Sequence, residues 1–170
     1  MNRKLLAALA LGSCLVAVPV SQAQAASAQQ STAPVTLTSD GSTVGSATLT
    51  RTSTGLSFSL HTTALRAGDA VTVWVMAQNP DGGTAVLYGA GHVIGASGIA
   101  GFGGSVAVGD STGYAMGDDT TLEDALTAAV TLVVRDHGPA QANTVEQQIH
   151  TISACYPTCT DQQISVHPAS

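Results

Sequence analysis

The sequence predicts an all-β protein: a single antiparallel β-sandwich with at most one short helix. Three observations lead there. Apolar and polar residues alternate with a period of two through several short runs. Turn signals rich in Gly, Asp, Asn and Pro fall between those runs. The chain has 170 residues, 44% hydrophobic and 9% charged, which suits one ordinary domain with a core and not two.

Residues 1–25 read as an export signal. Arg3 and Lys4 form a basic n-region, Leu5 to Val20 an apolar h-region, and Ala23-Gln24-Ala25 a small-residue cleavage site. The apolar run is short for a bilayer and holds Gly12, Ser13 and Pro19, so a membrane anchor is disfavoured. Leu11-Gly12-Ser13-Cys14 loosely resembles a lipoprotein site, but the apolar run continues past Cys14. Cleavage after Ala25 is the expectation, with the mature chain in the periplasm or the medium. Residues 26–34 are small and polar and read as a flexible leader. A β-domain is expected over residues 35–167.

Within that domain, Ala47 and Leu49 open the alternation, and Leu56, Phe58 and Leu60 continue it. Val71, Val73 and Val75 alternate with Thr72, Trp74 and Met76, so this strand is apolar on both faces and central. Val130, Leu132 and Val134 form the next inward face, and Ile164 and Val166 the last. Leu56, Phe58, Leu60, Val71, Val73, Val75, Val130, Leu132, Val134, Ile164 and Val166 are expected in the core. The turns between them include Asp40-Gly41, Ala67-Gly68-Asp69, Asn79-Pro80-Asp81-Gly82-Gly83 and His137-Gly138-Pro139. Thr121–Leu126 is the expected short helix, with Thr121 as its cap and Glu123 and Asp124 in the first turn.

Residues 89–113 hold nine glycines in 25 positions. A phosphate-binding loop fails on spacing, because Ile94 stands where the third glycine of the dinucleotide pattern is needed. No Gly-Lys-Ser/Thr occurs either. Two strands with close backbone approaches account for the glycines better.

Charge removes whole classes of partner. Cleavage after Ala25 leaves Arg51, Arg66 and Arg135 against 11 acids, a net charge of −8 with no lysine. Such a surface repels phosphate backbones and anionic lipids, so no nucleic-acid partner and no stable membrane insertion are expected.

Candidate chemistry is sparse. Gly109-Asp110-Ser111-Thr112-Gly113 matches the nucleophile-elbow pattern, with Asp136 and His137 downstream. The elbow requires a helix after the serine, and Tyr114-Ala115-Met116-Gly117-Asp118-Asp119 is a poor helix start. No catalytic residue is therefore assigned. Histidines occur at 61, 92, 137, 150 and 167, and His61, His92 and His137 are the candidate ligands for copper or zinc. No His-x-His pair aims two imidazoles from one strand face, and Asp136 and His137 point to opposite faces if one strand runs through both. No metal site and no cofactor are assigned. His61 and His167 are expected on a wet, serine-bearing face. Cys155 and Cys159 bracket Tyr156-Pro157-Thr158, and in an exported chain a disulfide is the default for such a pair.

Four stretches together carry a resemblance: Gly45–Thr50, Leu56–Thr62, Val71–Val75 and Leu132–Pro139. In strand-edge pattern they resemble uncharacterised secreted bacterial proteins related in outline to chordin-type (CHRD) and Cu,Zn superoxide dismutase-like domains. The resemblance implies a β-sandwich of Greek-key, immunoglobulin-like or dismutase-like type, and little about activity. Where those patterns carry His-x-His, this chain has Val75-Met76-Ala77-Gln78, which counts against copper binding and dismutation. The functional expectation is an exported, non-catalytic envelope or extracellular module that binds a protein, or a polar small molecule or glycan. A histidine-based copper or zinc metalloprotein is the alternative.

Overall fold

The computed structural model describes residues 28–111 and 121–170. The expected signal segment and residues 112–120, which include the end of the elbow pattern, lie outside them. Eight strands follow in order: β1 (Gln29–Leu37), β2 (Thr43–Thr52), β3 (Gly55–Thr62), β4 (Asp69–Gln78), β5 (Thr84–Val93), β6 (Ala100–Ala107), β7 (Ala129–Pro139) and β8 (Thr160–His167). One short helix, α1 (Val145–Gln148), lies in the excursion between β7 and β8. The protein is all-β, and every strand pairing is antiparallel. All eight strands belong to one sheet in the order β5-β4-β7-β8-β1-β2-β3-β6. It is a nearly closed, barrel-like sheet where the sequence suggested two stacked layers.

The two ends of that sheet, β5 and β6, meet without a ladder of hydrogen bonds. Glycine makes the approach feasible. A Cβ on Gly104 would collide with the carbonyl of Gly89, and one on Gly89 would strike the Phe58 ring and the Val73 carbonyl. This seam explains the glycine-rich stretch as a device for packing two backbones together.

The interior is one apolar cluster. Leu49, Leu56, Phe58, Leu60, Val71, Val73, Val75, Val130, Leu132 and Val134 are all buried in it, as their alternation predicted, and Phe102 of β6 joins them from the glycine-rich stretch. A second, smaller cluster lies on the outer face of β4 and β7, where Trp74, Val133 and Ile152 pack with Met76, Tyr88 and Ile164. The excursion after β7 covers this outer cluster and turns part of the sheet exterior into a second core.

Strand β8 departs from expectation. Its inward residues are Gln163, Ser165 and His167, all fully buried, while Ile164 packs in the outer cluster and Val166 is 55% exposed. The polar choice is stable because each group is bonded. Thr62 donates to Gln163 Oε1 at 2.6 Å, and Gln163 Nε2 donates to the Thr63 carbonyl at 2.8 Å. The His167 ring lies between the hydroxyls of Ser31 and Ser165, so it is buried where a wet face was expected. Buried polar groups are tolerated on those terms.

Two further boundaries moved. β1 begins at Gln29, inside the segment read as a leader, because its polar residues pair with β2 from Gln29 opposite Arg51 onward. The expected helix at Thr121–Leu126 is instead an irregular segment with a turn at its end. There the Asp124 carboxylate accepts from the Leu126 N–H and the Thr127 hydroxyl, a local bonding pattern that competes with a helix. No helix among the described residues is long and apolar enough to cross a membrane.

Candidate functional site

The excursion from Ala140 to Cys159 builds the one elaborated surface feature of the described chain. Its base is His137, the ninth residue of β7 and completely buried. The ring faces outward from the barrel and is roofed by the excursion. Its Nδ1 lies 3.0 Å from the Ala154 carbonyl, which can only accept, so Nδ1 carries the ring proton. Nε2 therefore accepts from the Thr72 hydroxyl at 2.8 Å, and the Thr72 oxygen accepts in turn from Trp74 Nε1–H at 2.8 Å. Burial pushes the His137 pKa below its ordinary 6.5, which keeps the ring neutral; the bond to Ala154 acts in the opposite sense.

Backbone and amide contacts hold the roof down. The Tyr156 N–H donates to the His137 carbonyl at 2.8 Å. Buried Gln148 donates through Nε2 to the Pro139 carbonyl and accepts at Oε1 from the Gln141 N–H. Gly138 has a φ of +80°, and a Cβ there would run into the Tyr156 carbonyl, so the crossing needs glycine. Cys155 and Cys159 stand at disulfide-bonding distance with Cα atoms 5.0 Å apart, and Cys159 Sγ lies 3.4 Å from His137 Nδ1.

Between α1 and the roof runs a cleft of about 320 Å³, lined by Gln141, Thr144, Gln147, Ser153, Cys155 and Tyr156 among others. A recess of about 450 Å³ adjoins it, and Ala142 and Asn143 add to the lining. Neither contains a charged side chain. Tyr156 is 56% exposed, so its ring is presented to solvent at the edge of the cleft.

The residues singled out from sequence are dispersed. His61 is exposed on β3 opposite Gly101, while His92 on β5 stacks on Phe102 with ring centroids 4.5 Å apart. Neither joins His137. Among the described residues, the group of three whose ligand atoms lie within 4.8 Å of one another is His137, Cys155 and Cys159. Ser111 is exposed beyond the end of β6, at the opposite end of the barrel from His137, so Ser111, Asp136 and His137 form no catalytic arrangement. Asp136 shares its environment with Asp69 instead, and accepts from the Gly138 N–H at 2.7 Å and Gln162 Nε2 at 2.6 Å. Sequence reasoning missed Tyr156 and the amides of 141–148. Their only signal was the density of Gln and Asn between Pro139 and Cys155.

No family model matches the chain, and neither a curated protein nor a solved structure matches it significantly.

Proposed function

We propose that the chain is an exported, non-catalytic binding module whose cleft between α1 and Tyr156 takes a neutral polar ligand, with a glycan as the class that fits best. The observation carrying this reading is the chemistry of the lining. An exposed tyrosine ring stands beside Gln141, Asn143 and Gln147, with no charged side chain in the lining itself. Amides both donate and accept, which suits sugar hydroxyls, and the ring face suits the apolar face of a pyranose. The export signal at 1–25 and a Cys155–Cys159 disulfide belong to the same reading, because such bridges persist in oxidising compartments. So does kinship with the chordin-type and dismutase-like sandwiches, which stands on strand edges and an all-antiparallel sheet. Calorimetry against a panel of neutral oligosaccharides tests the function. Saturable binding lost in Tyr156→Ala supports it, and heat unchanged by that substitution sinks it.

A second reading, a copper or zinc protein, rests on the convergence of His137 with Cys155 and Cys159 rather than on His61 and His92, and it requires the cysteine pair to be reduced, because only free thiolates ligate a metal. Metal analysis of untagged protein, with thermal melts with and without chelator, tests it. Stoichiometric metal and a melting temperature lowered by chelator would promote it over the binding module.

A further inference from the structure

We infer that the Cys155–Cys159 pair is a thiol–disulfide exchange site, in which Cys155 takes the attacking thiolate and Cys159 leaves against the Nδ1–H of His137. Cys155 also lines the cleft, but the exchange chemistry needs no ligand there and is tested without one. Two observations carry it. The sulfurs have different surroundings: Cys155 lines the open cleft beside Ser153 and Tyr156, whereas Cys159 Sγ lies 3.4 Å from the imidazole. The nearer ring nitrogen also holds its proton, because the Ala154 carbonyl admits only a donor. A sulfur departing at Cys159 thus meets a donor already in place, and a hydrogen bond to a charged acceptor is stronger than one to a neutral sulfur. A better-stabilised leaving thiolate speeds exchange.

The same proton opposes a metal at this nitrogen. Ligation would need the Nδ1 lone pair and would move the proton to Nε2. Thr72 would then accept from both His137 and Trp74, with no acceptor for its own hydrogen among the described residues. Arg135 and Asp161, paired at 2.7 Å, are the charged groups that act on the ring, and they do so in opposite senses.

An external dithiol supplies the electrons. Its first thiolate bonds to Cys155 Sγ as the Cys155–Cys159 bond breaks, and the electron pair leaves on Cys159 Sγ. Its second thiolate then attacks its own sulfur in the mixed disulfide and displaces Cys155 as a thiolate. The dithiol becomes a disulfide, two electrons pass to the protein, and two protons pass from the dithiol to the new cysteine thiols or to solvent.

Glutathione added to the purified oxidised protein and quenched with acid reports the attacked sulfur by peptide mapping. The adduct is expected on Cys155, and an adduct on Cys159 overturns the inference. Iodoacetamide alkylation of the reduced protein across pH should place the Cys159 midpoint about one unit below the ordinary thiol value of about 8.5. A midpoint at or above that value overturns it. His137→Leu should slow reduction by dithiothreitol about tenfold and restore the ordinary midpoint. His137→Gln, which keeps a side-chain N–H, should recover part of the rate. If His137→Leu does not fold, the adduct position and the wild-type midpoint decide alone. Uptake of one zinc ion per reduced chain would put a metal on Nδ1 and overturn the inference.

Discussion

His137 and His167 are both completely buried, and burial lowers the pKa of each below 6.5. Their surroundings nevertheless differ in kind. His137 sits outside the barrel wall, bonded to a carbonyl that fixes which nitrogen carries the proton. His167 sits on the inward face of β8 between two serine hydroxyls, Ser31 at 2.9 Å and Ser165 at 3.3 Å, each able to donate or accept. Its other neighbour is Arg51, which depresses the pKa further and is itself only 2% exposed. Burial by itself does not equip a histidine for chemistry. Direction does, and only His137 has a defined donor aimed at a reactive atom.

Arg51 carries the largest expected effect at the His167 end. Its guanidinium donates to Ser31 Oγ and to the carbonyls of Ala128, His167 and Pro168, with no carboxylate pairing it among the described residues. Arg51→Ala strips donors from that end of the barrel and should destabilise by about 3 kcal/mol in urea unfolding. A cost under about 1 kcal/mol would show that the carbonyls rebind water freely.

At the other histidine, Thr72→Val keeps the shape and removes both the donor to His137 and the acceptor for Trp74. It should cost about 2 kcal/mol. Trp74 is the sole tryptophan, so its near-ultraviolet signal reports whether the outer cluster loosens as stability falls. Reducing the Cys155–Cys159 bridge should cost about 2 kcal/mol on loop-closure entropy and leave the Arg51 end untouched. Amide exchange in β2 unchanged by reduction would show that independence.

Acid sharpens the contrast further. Both histidines bind protons less readily folded than unfolded, so their stabilising effect is complete above 6.5 and is lost as pH falls through that value toward the lowered folded pKa. The melting temperature should therefore drop between pH 7 and pH 5, and less so in His167→Gln. Asp69 runs the other way. Burial first, then the negative Asp136 beside it, raises its pKa above 3.8. Its contribution is present below 3.8 and lost as pH rises through the raised value. Asp69→Asn should give a modest rise in melting temperature at pH 7 that vanishes by pH 3, and an equal rise at both would show the effect is not electrostatic.

Alternation was legible on β2, β3, β4 and β7, which is why Leu56, Phe58 and Leu60 could be placed from sequence, whereas Leu87, Phe102 and Val106 of β5 and β6 also face the core but were not read from it. The same signal failed for Ile164 and Val166. A strand with an apolar outer face reads identically to one with an apolar inner face, and only the covering excursion decides which is buried. β1 was invisible for the opposite reason: Ser31 faces a buried histidine and arginine, so its alternation is polar against polar. Of the site, the cysteine pair was legible from spacing and compartment. Its contact with His137 was not, because it depends on how a 20-residue connection folds back onto β7.

The glycine seam between β5 and β6 has a consequence for how the barrel breathes. Seven of its eight junctions between neighbouring strands are zipped by ladders, while this one is held by backbone contact and the Phe58 ring. Solvent deuterium should enter there first, at the facing amides of Gly89 to Gly91 and Gly101 to Gly104, well before it reaches β7. The line along which the barrel opens is written in its glycines, and a methyl group at Gly104 would force the Gly89 carbonyl across the seam to move.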